Sequence, residues 1–138
     1  MRSVLIDTGP IVAYLDRSES THPWAKSAFL ELEGNLVTTS AVITEAMHFL
    51  SPIPNGPAAL CSFVELGPVQ VFDFCAAVDL RRAVTRMARY AEAPMDFADA
   101  TLTMLAEVSE TGDILTLDKR GFRIYRWGRN RAFNLVGC

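Results

Sequence analysis

Apolar and polar positions follow two rhythms along this chain. Residues 4–6, 36–39, 69–72 and 114–117 are short apolar or β-branched runs, the pattern of strands covered on both faces. Between them apolar residues recur every three or four positions, as on amphipathic helices. Asp7-Thr8-Gly9-Pro10 breaks the first run. Asp7 or Thr8 as N-cap, with Pro10 just inside, predicts a helix striped by Ile11, Val12 and Leu15. Trp24, Ala28, Phe29 and Leu32 place a second helix over about 22–33, stopped by Gly34. Ser40 is placed to cap a third over 41–50, ended by Pro52 and Pro54, and a weaker one covers 57–66. Residues 77–91 form a helix with arginines on its outer face and 96–110 form another; 132–136 make a fifth strand at the sheet edge.

Buried strands alternating with helices predict an α/β sandwich around a mainly parallel sheet. With 138 residues and no repeat, low-complexity stretch or linker, the expectation is one domain over 1–138. No window approaches the roughly 18 uncharged apolar residues of a bilayer span. The apolar run before Asp7, Val4-Leu5-Ile6, is only three residues long, too short for a secretory signal, so a cytoplasmic protein is expected. Cys61, Cys75 and Cys138 are odd in number and form no C-x-x-C pair; they read as buried or inert thiols and argue against a zinc site.

Charge changes the picture more than composition does. The net charge is −3, yet residues 1–78 hold three Lys/Arg against eight Asp/Glu, and residues 79–138 hold ten against eight. Beyond Asp118 lie Lys119, Arg120, Arg123, Arg126, Arg129 and Arg131 and no acid. A basic strip beside a group of carboxylates suits a polyanion, though each arginine alone serves as well on a solvated face or an oligomer contact.

In open parallel sheets ligands gather beyond the C-terminal strand ends. Asp7 and Asp118 follow the first and fourth strands directly. Glu45 lies in the second turn of the helix leaving the second strand, and Asp96 and Asp99 open the helix leading to the fourth. Each has a plainer reading: Asp7 and Asp96 as N-caps, Asp118 in an Asx-turn before Gly121. Glu45 is harder to dismiss, because it shares a stripe with Val42 and Phe49 that should face the core. Asp99 shares one with Leu102, Thr103 and Ala106. Clustered acids without nearby cations raise one another's pKa unless a metal neutralises them, and an all-oxygen site selects Mg²⁺ or Mn²⁺.

Four segments in order, Val4-Leu5-Ile6-Asp7-Thr8-Gly9, Thr44-Glu45-Ala46, Met95-Asp96-Phe97-Ala98-Asp99-Ala100 and Leu115-Thr116-Leu117-Asp118-Lys119-Arg120-Gly121-Phe122, resemble the PIN domain. More narrowly they resemble the VapC-type toxin ribonucleases of bacterial toxin–antitoxin pairs. The resemblance spans nearly the whole chain. It implies a PIN-like three-layer sandwich, Mg²⁺- or Mn²⁺-dependent endonuclease activity on RNA, and a homodimer neutralised by a small antitoxin. Carried over residue by residue, Asp7, Glu45, Asp99 and Asp118 are the acidic quartet, Asp96 a fifth candidate ligand, and Thr8 and Thr116 supporting hydroxyls. Gly121 departs from the pattern, which frequently has an acid just before the motif's phenylalanine, here Phe122; this alters the fine geometry of the site.

The expected chemistry is hydrolysis of an RNA phosphodiester by metal-activated water. Asp7, Asp99 and Asp118 serve as direct ligands, Glu45 as ligand or water-orienting base, and Lys119 and Arg120 contact the RNA backbone. An aspartic protease shares the Asp7-Thr8-Gly9 triplet but is all-β. A phosphoryl-accepting receiver domain would need an adjacent acidic pair near the first strand, which is absent here. A PIN-like RNA- or protein-binding module without catalysis is the non-enzymatic alternative, against which the complete quartet argues.

Overall fold

Val4, Leu5 and Ile6 are wholly buried, and they form the centre of the sheet. The computed structural model describes residues 2–67 and 69–137. Strand β1 (Ser3–Ile6) is followed by α1 (Thr8–Leu15) and α2 (His22–Glu31), then β2 (Asn35–Thr39), α3 (Ser40–Leu50) and α4 (Gly56–Leu66). Next come β3 (Gln70–Phe72), α5 (Ala77–Met87), α6 (Phe97–Ser109), β4 (Asp113–Leu115) and α7 (Lys119–Ile124). A small hairpin of β5 (Arg126–Trp127) and β6 (Arg131–Ala132) precedes the edge strand β7 (Asn134–Leu135).

The five-stranded sheet runs in the order β3-β2-β1-β4-β7, and every described pairing in it is parallel. Parallel neighbours require crossovers, and the helices supply them. α1 packs on α2 and α3, and α3 on α4, while α6 lies across β1 and β2 with α5 against it. The most deeply set helix is α6, in which Ala100 to Ala106 are all buried. This is the expected α/β sandwich, a mainly parallel central sheet flanked by helices. The strand order places successive crossovers on opposite sides of β1, so the topological switch point falls between β1 and β4. Ligands collect at such a point, beyond the carboxyl ends of the strands.

Several boundaries differ from the pattern-based expectation, for physical reasons. β4 stops at Leu115 because the Thr116 hydroxyl is engaged by Asp7 and by the Asp118 amide. Thr39, not Ser40, caps α3, its Oγ1 accepting from Val42 N at 3.3 Å, while Ser40 donates to Asp73. α5 ends at Met87, four residues early, and the chain turns so that the Tyr90 hydroxyl accepts from Arg126 N. α7 and the β5–β6 hairpin were not expected. Gly34 stops the region after α2 as foreseen: its φ of +116° and the Arg2 carbonyl beside it leave no room for a side chain. Cys61 and Cys75 are exposed, not buried, and Cys138 lies outside the described residues. The neighbouring Asp73 carboxylate raises the Cys75 thiol pKa, which disfavours the thiolate. Among the described residues no helix is long and apolar enough to cross a membrane.

Candidate active site

Three of the predicted acids cap helices, and the three helix N-termini meet at the switch point. Asp7 ends β1 and caps α1, its Oδ1 accepting from Thr8 N at 2.8 Å. Its Oδ2 accepts from the Thr116 hydroxyl at 2.7 Å, and the same hydroxyl accepts from Asp118 N at 2.9 Å. Thr116 thereby ties the end of β1 to the turn after β4. Asp96 caps α6 in a reciprocal box: Asp99 N donates to Asp96 Oδ1 at 2.8 Å, and Asp96 N to Asp99 Oδ2 at 3.2 Å. Asp118 caps α7 by accepting from Gly121 N at 3.0 Å. Capping and site membership are therefore not alternatives, since the positive ends of the helix dipoles help hold the carboxylates together.

All five predicted acids, Asp7, Glu45, Asp96, Asp99 and Asp118, line one cleft of about 380 Å³. Thr8, Val12, Phe49 and Leu117 line it too, and among the described residues no Lys or Arg does. Glu45 corrects the expectation of a core-facing stripe. Val42 is buried, but Glu45 is half-buried and Phe49 is 53% exposed, so the stripe runs from the core out along the cleft wall. Asp99 stands half-buried at the mouth, above the buried Leu102, Thr103 and Ala106. Lys119 and Arg120 are exposed on α7 outside the cleft, and Arg120 donates to the Glu92 carbonyl at 3.2 Å.

The sequence reading missed Glu19 and Thr21, which reach the cleft from the α1–α2 loop. It also missed Tyr125, buried beneath the acids with its hydroxyl donating to the Pro94 carbonyl at 2.8 Å. Neither loop position follows a strand, so no strand-end signal marked them. Gly121 has a local role: a Cβ there would collide with the Asp118 carboxylate and crowd the Tyr125 ring. Its bareness lets the Asp118 carboxylate fold back over α7.

Burial pushes Asp7 up to about 6, opposed by the hydrogen bonds from Thr116 and Thr8 and reinforced by the charges of Glu45 and Asp96. Burial, then the charges of Asp96 and Asp7, also raise Asp99. The Tyr125 phenol is raised by burial and then by the surrounding carboxylates, so it stays a neutral donor. Among the described residues no group of three or more acidic, histidine or cysteine side chains stands close enough together to hold a metal ion. The donor chemistry nonetheless fits a hard dication. The cleft's acids are all-oxygen donors without a balancing cation, and the Thr8 hydroxyl is buried beside Asp7 with no hydrogen-bond partner.

Comparison with known proteins bears on the same elements. Residues 4–127 match the family model described as PIN domain. Ribonuclease VapC26 of Mycobacterium tuberculosis is 28% identical over 124 residues, covering 89% of this chain and 92% of that protein. The crystal structure of Mycobacterium tuberculosis VapC20, described as a Sarcin-Ricin loop cleaving toxin, superposes with a TM-score of 0.75. That match covers 84% of this chain and 90% of the other at 19% identity, a likeness of fold.

Proposed function

The chain belongs to the PIN domain family, and from that premise we propose that it is a metal-dependent endoribonuclease of the VapC type, hydrolysing RNA phosphodiester bonds. The observation that carries the reading is the convergence of Asp7, Glu45, Asp96, Asp99 and Asp118 on one cleft that, among the described residues, no Lys or Arg lines. Asp7, Asp99 and Asp118 would hold Mg²⁺ or Mn²⁺, with Glu45 beside them and Asp96 acting chiefly through Asp99. A bound ion of this kind acidifies a water and offsets charge on the phosphate.

The chain's own residues do the rest. Thr116 fixes the Asp7 carboxylate by its hydrogen bond and aligns the Asp118 turn. Asp96 orients Asp99 through the capping box. Glu45, which reaches the cleft from α3, would serve as a further ligand or as the base that orients the attacking water. Val12, Phe49 and Leu117 supply apolar wall that limits solvent around the reacting phosphate. Lys119 and Arg120, exposed on α7 next to Asp118, contact the RNA backbone. The resemblance to VapC-type toxin ribonucleases adds a small cognate antitoxin, a homodimeric state and a cytoplasmic setting to the same reading.

The test is cleavage of structured RNA by purified protein in Mn²⁺, in parallel with the Asp99→Ala variant and with chelator. Cleavage should fall by at least roughly a hundredfold in both, with the circular dichroism spectrum of the variant unchanged. Full cleavage in chelator or by Asp99→Ala would sink the reading. No cleavage of any RNA by the unaltered protein would leave a binding module.

A further inference from the structure

Among the described residues none of the arginines lines the acid cleft. A second and larger concavity, of about 560 Å³, lies between α5, the flank of α6 and the β5–β6 hairpin. Two tyrosines separate it from the cleft. Tyr125 is close enough to feel the charges of Asp99, Asp118, Asp96 and Asp7. It packs edge-on against Tyr90 at 5.0 Å between ring centroids, and Tyr90 lines the groove.

Arg82, Arg86, Arg89 and Arg126 line this groove, against the single carboxylate of Glu107. Glu107 is gripped by Arg86 and Arg82, and Arg86 also donates to Thr103 Oγ1 at 2.9 Å. That leaves three positive charges over. Arg126 is held in place by donating from Nη1 to the carbonyls of Arg123, Ile124 and Tyr125. Arg82 and Arg86 stand one turn apart on α5, about 6 Å along its axis at 1.5 Å per residue, and Arg89 extends their row into the turn that follows Met87. A row so extended exceeds a single phosphate and matches a polymer of them. Arginine forks pair with phosphate oxygens, and Tyr90 offers an aromatic ring to a base. An acidic protein segment would want apolar anchors, and Met95 is the only aliphatic side chain of any size in the lining.

We infer that this groove binds the phosphodiester backbone of single-stranded RNA flanking the segment that enters the acid cleft, as a holding site separate from the metal-binding acids. The inference deepens the nuclease reading and rests on it for the identity of the polymer. It also gives the arginines of α5 and of the hairpin a common task, although they are far apart in sequence.

The test is equilibrium binding of a fluorescent single-stranded RNA in chelator across a salt titration, which needs no catalysis. The Arg82→Ala/Arg89→Ala double variant removes two exposed groups and should weaken binding about tenfold or more. The slope of log affinity against log salt should fall by about 1.4, the value for two lost phosphate contacts. Arg17→Ala/Lys26→Ala, which removes the same charge elsewhere, should leave the slope unchanged. Wild-type affinity and slope in the double variant would overturn the proposal, as would no salt-dependent binding by the unaltered protein. If a polyglutamate peptide binds the unaltered protein while the double variant loses it and keeps RNA, the groove serves an acidic protein segment and the proposal falls. Groove-dependent RNA binding without cleavage in Mn²⁺ would sink the nuclease reading and leave the groove standing.

Discussion

Asp7 caps α1, accepts the Thr116 hydroxyl and sits 7% exposed at the end of the central strand. Its carboxyl ionises near 3.8 when unfolded and at about 6 in the metal-free fold. Below pH 3.8 both states are protonated and Asp7 has no effect on stability. As pH rises toward 6 the unfolded chain releases its proton first, so stability falls, and the full cost is present above about 6. That cost is about 3 kcal/mol. Asp7→Asn removes it but gives up one of two hydrogen bonds, about 1 kcal/mol. In chelator at pH 7 the variant should therefore be more stable by about 2 kcal/mol, turning to less stable by about 1 kcal/mol near pH 4, where only the lost hydrogen bond remains. Urea denaturation at the two pH values checks this. A variant destabilised at both would mean that Asp7 is held as a favourable ion.

At the scale of elements, Asp96 shows how capping and chemistry share a residue. Asp96→Ala should cost about 1 kcal/mol through the frayed start of α6, whereas Asp96→Ser keeps a cap and most of the stability. If Asp96 acts on the site only by orienting Asp99, the Ser variant should also keep Mn²⁺ affinity near that of the parent. A large loss of affinity in Asp96→Ser, measured by calorimetry, would make Asp96 a ligand. The same elements mark what the sequence made legible. Strand runs such as 4–6 and the stripe of α6 were readable because burial on both faces, or on one helical face, leaves a period. The strand-end places of Asp7 and Asp118 were readable because topology sends ligands there. β4 was read two residues too long, since Thr116 and Leu117 have strand propensity that the hydrogen bonds to Asp7 and Asp118 override. α7 and the two-residue strands of the hairpin are too short to carry a period, although Gly128 and Asn130, both at positive φ, marked the turn. Glu19, Tyr125 and the arginine groove depend on contacts between distant segments, which no local pattern records.

Across the whole molecule the net charge of −3 conceals a separation. Asp7, Glu19, Glu45, Asp96, Asp99 and Asp118 crowd one cleft, while the arginines of α5 and the hairpin line a groove on the other side of Tyr125 and Tyr90. The metal-free fold therefore stores repulsion at the switch point of its sheet, and an ion that binds only the folded state should relieve it. At a hundred times its dissociation constant such an ion adds about 2.7 kcal/mol. For a chain of this size that is a rise in melting temperature of about 10 °C. Screening by monovalent salt acts on the same repulsion from outside and should give much less at equal ionic strength. Thermal melts in Mn²⁺ and in matched KCl separate the two effects, and Asp99→Asn should abolish the Mn²⁺ increment while keeping the response to KCl. Equal rises in both salts would mean that the acids are merely screened, and that no ion is held among them.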